Sequence, residues 1–438
     1  MTLSTQLLAL VLLLVSGEPN PLPDLDGSSV FGRERHLSAG PREVSAEQRQ
    51  VFERWLDDRL SRHREGETAA GAELRAAAVD VESFFVRGPA NDDFPRMMLF
   101  NEYWRVPLAK ANPRRLFRRV SGNGNVARDV SPKSDRVLHS SFFTNTHIES
   151  YTPERLVREA EEARPRGKLT ITKVKSSGTS EGAWAEDEEG RTYILVFDPP
   201  CCPEMTTSAE YIGSTLMRIA GFYVPTTTII TVEGTGDDLY DGRRAVATIA
   251  LDDFEGGWRA GPFRDRRAVR ALQLFAGWIN NVDQTEQNTG LTINESGVIR
   301  HYVLDFGASL GSFTFRPQPA RLGWTKLFSV YDQFTQPLYD RGWRKVPWEA
   351  PYAVVSPAVG TFSERYDPDR WRPFYENIGL LDVTPEDRRW AARRIARFHD
   401  EQIEMIVHLA GYSNRADREH VARTLKRRRD ITVERYRP

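Results

Sequence analysis

Asn281-Val282-Asp283-Gln284-Thr285-Glu286-Gln287-Asn288 and, further along, Asp305-Phe306-Gly307 decide how this chain is read. The first string ends what reads as a helix over 265–281, and the second closes an apolar run, His301-Tyr302-Val303-Leu304. Phosphoryl transfer from a nucleotide needs these residue types in this order. One Asp accepts the proton of the attacking hydroxyl, an Asn five positions on holds a metal, and a second Asp at a strand end holds metal against the phosphates. Asp283, Asn288 and Asp305 fit those roles in order and spacing. Either string alone also fits turn-formers between a helix and a hairpin, because Asp and Asn favour such positions. The case therefore depends on what stands upstream.

Upstream, the period changes at Lys168. Leu169-Thr170-Ile171-Thr172 and Thr192-Tyr193-Ile194-Leu195-Val196-Phe197 read as strands, with Glu188-Glu189-Gly190 as a hairpin turn. Met205, Ala209, Ile212, Leu216 and Ile219 then recur at helical spacing, ending at Gly221 with Pro225 beyond it. Residues 224–232 resume strand character. The order over 168–232 is strand, small-residue loop, strand, helix, strand, and the remainder after the central hairpin is mainly helical. That is an α+β, two-lobe plan of the protein-kinase type, with a small β-rich N-lobe holding one helix and a larger helical C-lobe. In such a plan a flexible loop covers the phosphates with backbone N–H groups, so small residues matter. Ser176, Ser177 and Gly178, following Lys175, are the candidates, with an ordinary hairpin as the alternative. Glu210, beside the apolar stripe of the helix, is the candidate partner for a phosphate-binding lysine.

Outside this centre the signals are coarser. Residues 7–15 form an unbroken apolar run, followed by Ser16, Gly17 and a Pro-rich stretch. The run is too short to span a bilayer, which needs about 20 residues. It suits the apolar segment of a secretory signal, although residues 1–6 carry no Lys or Arg. The expected organisation is a signal peptide at 1–17, a linker with an amphipathic helix (46–62) over 18–75, and an aromatic N-terminal extension at 76–165. A β-rich lobe follows at 166–256, a helical lobe at 257–415, and a basic C-terminal tail at 416–438. Thr384-Pro385-Glu386-Asp387 starts a helix that carries Trp390, Ile395, Phe398, Ile403, Ile406 and Val407 and stops near Gly411. The basic run Lys426-Arg427-Arg428-Arg429 reads as a solvated last helical turn.

Composition excludes several classes. At 438 residues, 40% hydrophobic and 28% charged, the chain has the make-up of a soluble globular protein. A net charge of −1 argues against a nucleic-acid partner. Only two cysteines occur, adjacent at Cys201-Cys202, so no long loop can be closed by a disulfide within the chain, and the pair reads as structurally incidental. None of the eight His residues sits in a metal-ligand spacing, and His147 and His301 read as ordinary polar contacts.

The chain also resembles a family of mostly exported bacterial proteins distantly similar to HipA-type and spore-coat (CotH-type) atypical kinases. The strings that carry the resemblance are Phe143-Thr144-Asn145, Lys175-Ser176-Ser177-Gly178, Phe197-Asp198-Pro199-Pro200, Pro203-Glu204-Met205, Ala209-Glu210, Gly221-Phe222-Tyr223-Val224-Pro225, and His301-Tyr302 through Gly307. By position, the resemblance implies Asp283 as catalytic base, Asn288 and Asp305 as metal ligands, and Glu210 as partner of a strand lysine. It also implies ATP with Mg²⁺ or Mn²⁺ as cofactors. The chain departs from the family at that lysine, where Val196 stands. Thr285, with Glu286 beside it, occupies a place where many kinases carry a cation.

Losing one preorganised charge-stabilising donor costs about 10²–10³ in rate. The expected function is thus a nucleotide-binding pseudokinase or weakly active atypical kinase. The alternative is an active kinase in which Lys175 or Lys173 serves as substitute phosphate clamp, acting on a protein or small-molecule hydroxyl. A second alternative is a non-catalytic envelope binding or structural protein. The expected location is exported, or cytoplasmic if 7–15 is not a signal, with no transmembrane span in the mature chain.

Overall fold

The structure, a computed structural model, describes residues 101–120, 127–131, 133–175, 180–295, 297–326 and 355–437. All lie in the unit of the chain that runs from Ala39 to Pro438. The expected signal, linker and amphipathic helix, the first part of the extension, and Ser176, Ser177 and Gly178 fall outside the described residues.

The architecture is mixed α+β. Short helices α1 (Val106–Lys110), α2 (Pro113–Val120) and α3 (Pro153–Glu162) precede the sheet strands β1 (Thr170–Val174), β2 (Gly182–Glu186) and β3 (Thr192–Phe197). Helix α4 (Met205–Ala220) follows, then β4 (Thr227–Thr231) and β5 (Arg244–Ile249). The five strands form one antiparallel sheet in the order β1-β2-β3-β5-β4. Alternation in β3 sets its two faces: Tyr193, Leu195 and Phe197 are buried, while Thr192, Ile194 and Val196 are half-buried. The first set packs with Ala183, Ala185, Ala245 and Ala247 under Tyr240. The opposite face carries Val196, Val246 and Ile229 onto a core shared with α4.

Two strands exceed the expected count. β2 and β5 are rich in alanine, a weak strand former, so no β-branched run announces them. Pairing of Ala183 with Leu195 and of Ala247 with Leu195 shows why small residues suit those places: the bulk comes from β3.

Helix α4 starts where Asp198 accepts the N–H groups of Thr206 and Thr207, both at 2.9 Å, and the Thr207 hydroxyl at 2.7 Å. These bonds satisfy first-turn N–H groups from outside the helix, since Glu204 at its start makes no side-chain cap. It ends at Gly221, whose φ of 109° few L residues tolerate.

A second antiparallel sheet, β6 (Phe254–Gly256), β7 (Thr289–Ile293) and β8 (Ile299–Val303), flanks helix α5 (Arg267–Ile279). The helix is shorter than the expected 265–281 because Asn280 turns left-handed at φ 54°. Helices α6 (Pro385–Ile395), α7 (Asp400–Leu409) and α8 (Arg415–Arg435) complete the chain. Thr384 caps the expected helix start, and Asp387 completes a capping box with it. The single helix expected beyond it is instead two, since His399 and Gln402 cap a new start.

The run 426–429 is not a solvated last turn, since it lies within α8, which continues to Arg435. Val421, Ala422 and Leu425 of α8 are buried in the main core, and Arg428 is 3% exposed, donating to the carbonyls of Ser363 and Gly277. Lys426 and Arg429 pair with acids of α7. Nor is the described part of the extension peripheral. Phe142, Phe143, Ile148 and Leu156 belong to the main core, and Asp129 accepts the first N–H groups of α5. Cys201 and Cys202 are bonded to each other in the β3–α4 loop. Among the described residues no helix is long and apolar enough to cross a membrane.

Candidate functional site

The site is built where α5 gives way to the β7–β8 hairpin. Asn280 tolerates its left-handed backbone as few residue types do, and its amide is clamped. Trp371 Nε1 donates to its Oδ1 at 2.9 Å, and its Nδ2 donates to Gln318 Oε1 at 2.7 Å. Val282, fully buried, donates its N–H to the Ala308 carbonyl and accepts from the Phe374 N–H, both at 3.1 Å. These bonds hold the residue before Asp283 from both sides.

Hairpin register then does the rest. Thr289 opposes Val303, and one step further the Leu304 N–H donates to the Asn288 carbonyl at 2.9 Å. Asn288 and Asp305 therefore lie at the same end of the hairpin. Asn288 Nδ2 donates to the Asp283 carbonyl oxygen at 3.2 Å, folding the string 283–288 back on itself.

Asp305 also has a left-handed backbone, φ 58°, and its Oδ1 accepts the Gly307 N–H at 3.1 Å. Phe306 is 1% exposed and packs on α4 at Gly213, where an added Cβ would come within 2.7 Å of the Phe306 Cβ. Three residues before Gly213 on the same helix face stands Glu210, whose carboxylate accepts the Phe306 N–H. The glycine that admits Phe306 thus sets Glu210 against the backbone of Asp305-Phe306-Gly307.

Three carboxylates consequently share one electrostatic neighbourhood. Burial, and then the charge of Asp305, push Glu210 up to about 8, against opposing pulls from the Phe306 and Gly307 N–H groups and the Lys175 ammonium. Burial, and then Asp305, also push Asp283 up to about 7, although Asn288 and Thr285 hydrogen-bond it. Asp305 itself is solvent-exposed, whereas Glu210, Asp283 and Asn288 are half-buried. The Oδ1 atom of Asp283 is buried and has no hydrogen-bond partner. Acids crowded together with an orphaned oxygen are a donor set for a hard cation.

Asp305 and the side-chain oxygen of Asn288 are the groups that could hold Mg²⁺ or Mn²⁺, with Asp283 beside them as the candidate base. Among the described residues no group of three or more His, Cys, Asp or Glu forms a metal cage. Mg²⁺ commonly uses one or two carboxylates and takes its other ligands from phosphate and water. The residues present fit that habit.

The strand position of the expected lysine is Val196, half-buried on the α4 side of the sheet. Lys175 directly follows β1, and its N–H donates to the Gly182 carbonyl at 2.9 Å. Its ammonium donates to Ser180 Oγ at 2.9 Å, and its charge acts on Glu210. Lys173 is exposed.

Glu286 stands beside Thr285 where a cation would be expected, yet it brings cations of its own. Its charge does not stand bare in the 283–288 loop: Arg105 grips both carboxylate oxygens, at 3.1 and 3.3 Å, and Arg259 lies 3.9 Å away. Sequence reasoning missed Arg105, which is remote in the chain and lies in no motif. It also missed Gly213 and the role of Asp198, which stands just past the end of β3 and not at Glu204, the position just before the helix where a local cap signal would be read. His301, buried and stacked on Phe142 at 3.9 Å, is held down to about 3 by burial and then by Arg266. It packs as a neutral ring.

No protein-family model matches the chain, and no curated protein matches it. Among solved structures, a crystal structure of the Helicobacter pylori proinflammatory kinase CtkA is similar at 14% sequence identity, with a TM-score of 0.37. The likeness covers 62% of this chain and 96% of that one. A likeness that weak decides neither fold nor activity, which rest on this chain's own geometry.

Proposed function

We propose that this chain is a kinase-like protein that binds a nucleoside triphosphate with Mg²⁺ or Mn²⁺ between a sheet-rich lobe (166–256) and a helical lobe (257–415). In this reading it is an exported pseudokinase or a weakly active atypical kinase. What supports the reading is that the Glu210 carboxylate accepts from the backbone of Asp305-Phe306-Gly307 while Asn288 ties the Asp283 turn to the same end of the hairpin, with burial, and then the Asp305 charge, raising Glu210 and Asp283. A divalent ion supplies charge neutralisation on the phosphates when bound. Asp305 and Asn288 would hold such an ion, and Asp283, raised to about 7 by burial and then by Asp305, would accept a hydroxyl proton. Val196 presents no cation, which is the reason to expect binding with slow turnover.

A second reading, an active kinase acting on a protein or small-molecule hydroxyl, is favoured by one observation: the Lys175 charge acts on Glu210. Thermal-shift titration with ATP and Mg²⁺ or Mn²⁺ tests the first reading. Wild type should be stabilised and Asp305→Ala should not. No shift at millimolar nucleotide in wild type sinks the nucleotide reading. Radiolabel transfer that Asp283→Ala abolishes would establish the second.

A further inference from the structure

Opposed residues in an antiparallel sheet point to the same face. Gly182 opposes Val196, Val196 opposes Val246, and Val246 opposes Ile229. Val174 opposes Ala183, so Lys175 is next to Gly182 at the end of that row, as its 2.9 Å bond to the Gly182 carbonyl requires. One row of the sheet therefore reads Lys175, Gly182, Val196, Val246, Ile229, and its last three members face α4, the helix of Glu210.

Gly182 is the gap in that row. A Cβ there would come within 2.9 Å of Lys175 Cδ and 2.5 Å of the Leu195 carbonyl oxygen. The lysine stem already lies where any other side chain would stand. Strand spacing puts Lys175 about 10 Å from Val196, two strands away. A lysine lying across a glycine covers much of that distance, and its flexible four-carbon stem allows it. Ser180 accepts from the ammonium at 2.9 Å and holds the stem on this side of the sheet.

We propose that Gly182 is a positioning residue: it seats the Lys175 stem so that the cation missing at Val196 is supplied from β1, two strands away, toward Glu210 and the nucleotide phosphates. The proposal rests on the nucleotide reading above and adds to it which cation serves and what lets it reach. Ser180 is the resting partner that the ammonium exchanges for phosphate oxygen.

The test is transposition of the charge, read as the Kd for Mg²⁺–ATP by equilibrium dialysis on the full chain, with the Tm of each variant without nucleotide as folding control. Lys175→Met removes the cation without adding bulk and should weaken binding about 10- to 100-fold, the range for a charged hydrogen bond, with little change in Tm. Lys175→Met combined with Val196→Lys returns a cation to the same row and should restore the Kd to within a few-fold of wild type. A merely structural lysine would not be rescued from another strand. Gly182→Ala should mimic Lys175→Met if it folds. If wild type binds and Asp305→Ala does not, yet Lys175→Met binds as wild type does, the proposal is overturned while the nucleotide reading stands. Failure of the transposed variant to regain affinity, with its Tm unchanged, overturns the proposal likewise. Failure of wild type to bind at all overturns both.

Discussion

Two clusters of ionisable groups, one beneath α5 and one at its end, are built on opposite terms. Beneath the helix, Arg264 pairs with Asp382 at 2.7 Å, and Arg267 and Arg270 both grip Asp387, at 3.1 and 2.6 Å. Each guanidinium there meets a carboxylate, and Asp387 also closes the capping box of α6. Beyond the C-terminal end of α5, Glu210, Asp283 and Asp305 gather with the Lys175 ammonium acting on Glu210. The first cluster is complete in itself and joins α5 to α6. The second repels itself and would be relieved by a divalent cation. Removing one partner of a matched buried pair leaves a costly bare charge, whereas crowded unmatched charge makes a candidate site.

The largest effect expected from breaking this contrast is at Asp387. Asp387→Ala strands the nearly fully buried Arg270 guanidinium, leaves Arg267 with Asp135 as its one carboxylate partner and removes a cap, so urea denaturation should show a loss of about 3–5 kcal/mol. Asp305→Asn should do the reverse at the second cluster. It removes a like charge from Glu210 and Asp283, so the metal-free protein at pH 8 should be as stable as wild type or more so. If Asp305→Asn destabilises as much as Asp387→Ala, the two clusters are of one kind and the contrast fails.

Titration sharpens the same comparison. Glu210 and Asp283 are raised to about 8 and about 7 in the folded chain. The folded state then holds their protons over a range where the unfolded state, with carboxyl pKa values near 4, has released them. Their contribution to stability is present below about pH 4 and is lost as pH rises through about 7 and 8. Tm measured against pH should fall across that window, and the fall should be shallower in Asp305→Asn. Mg²⁺ or Mn²⁺ should raise Tm more at pH 8 than at pH 5, because the carboxylates must be ionised to bind it. Equal metal effects at the two pH values would count against the second cluster as a cation site.

The smallest effect belongs to Arg105. Its bidentate hold on Glu286 steadies the loop that carries Asp283 from a segment far away in the chain. Arg105→Ala leaves Arg259 as partial compensation, and a loss of about 1–2 kcal/mol is expected by chemical denaturation. The Tm–pH slope assigned to Glu210 should stay unchanged, since Arg105 acts on the loop and not on that carboxylate.

Legibility followed locality. The helix of Glu210 was readable because its apolar stripe and terminal glycine are local signals, and the cap at Thr384 was readable for the same reason. β2 and β5 were not, because alanines in them are strand residues only by virtue of the bulky β3 beside them. The break between α6 and α7 was missed because apolar spacing continues through Phe398 while a His399–Gln402 cap restarts the helix. Arg428, read as solvated, is buried because α8 turns that face to Tyr366 and Gly277.

The candidates Asp283, Asn288, Asp305 and Glu210, and the valine at position 196, could be named from the sequence alone, since residue type and spacing are local properties of a chain. Tertiary structure alone decided that Asp305 acts on both other acids, that Arg105 neutralises Glu286, and that Lys175 lies across Gly182. Each of those depends on strand register and helix packing between segments remote in sequence, and no local pattern encodes the distance between them.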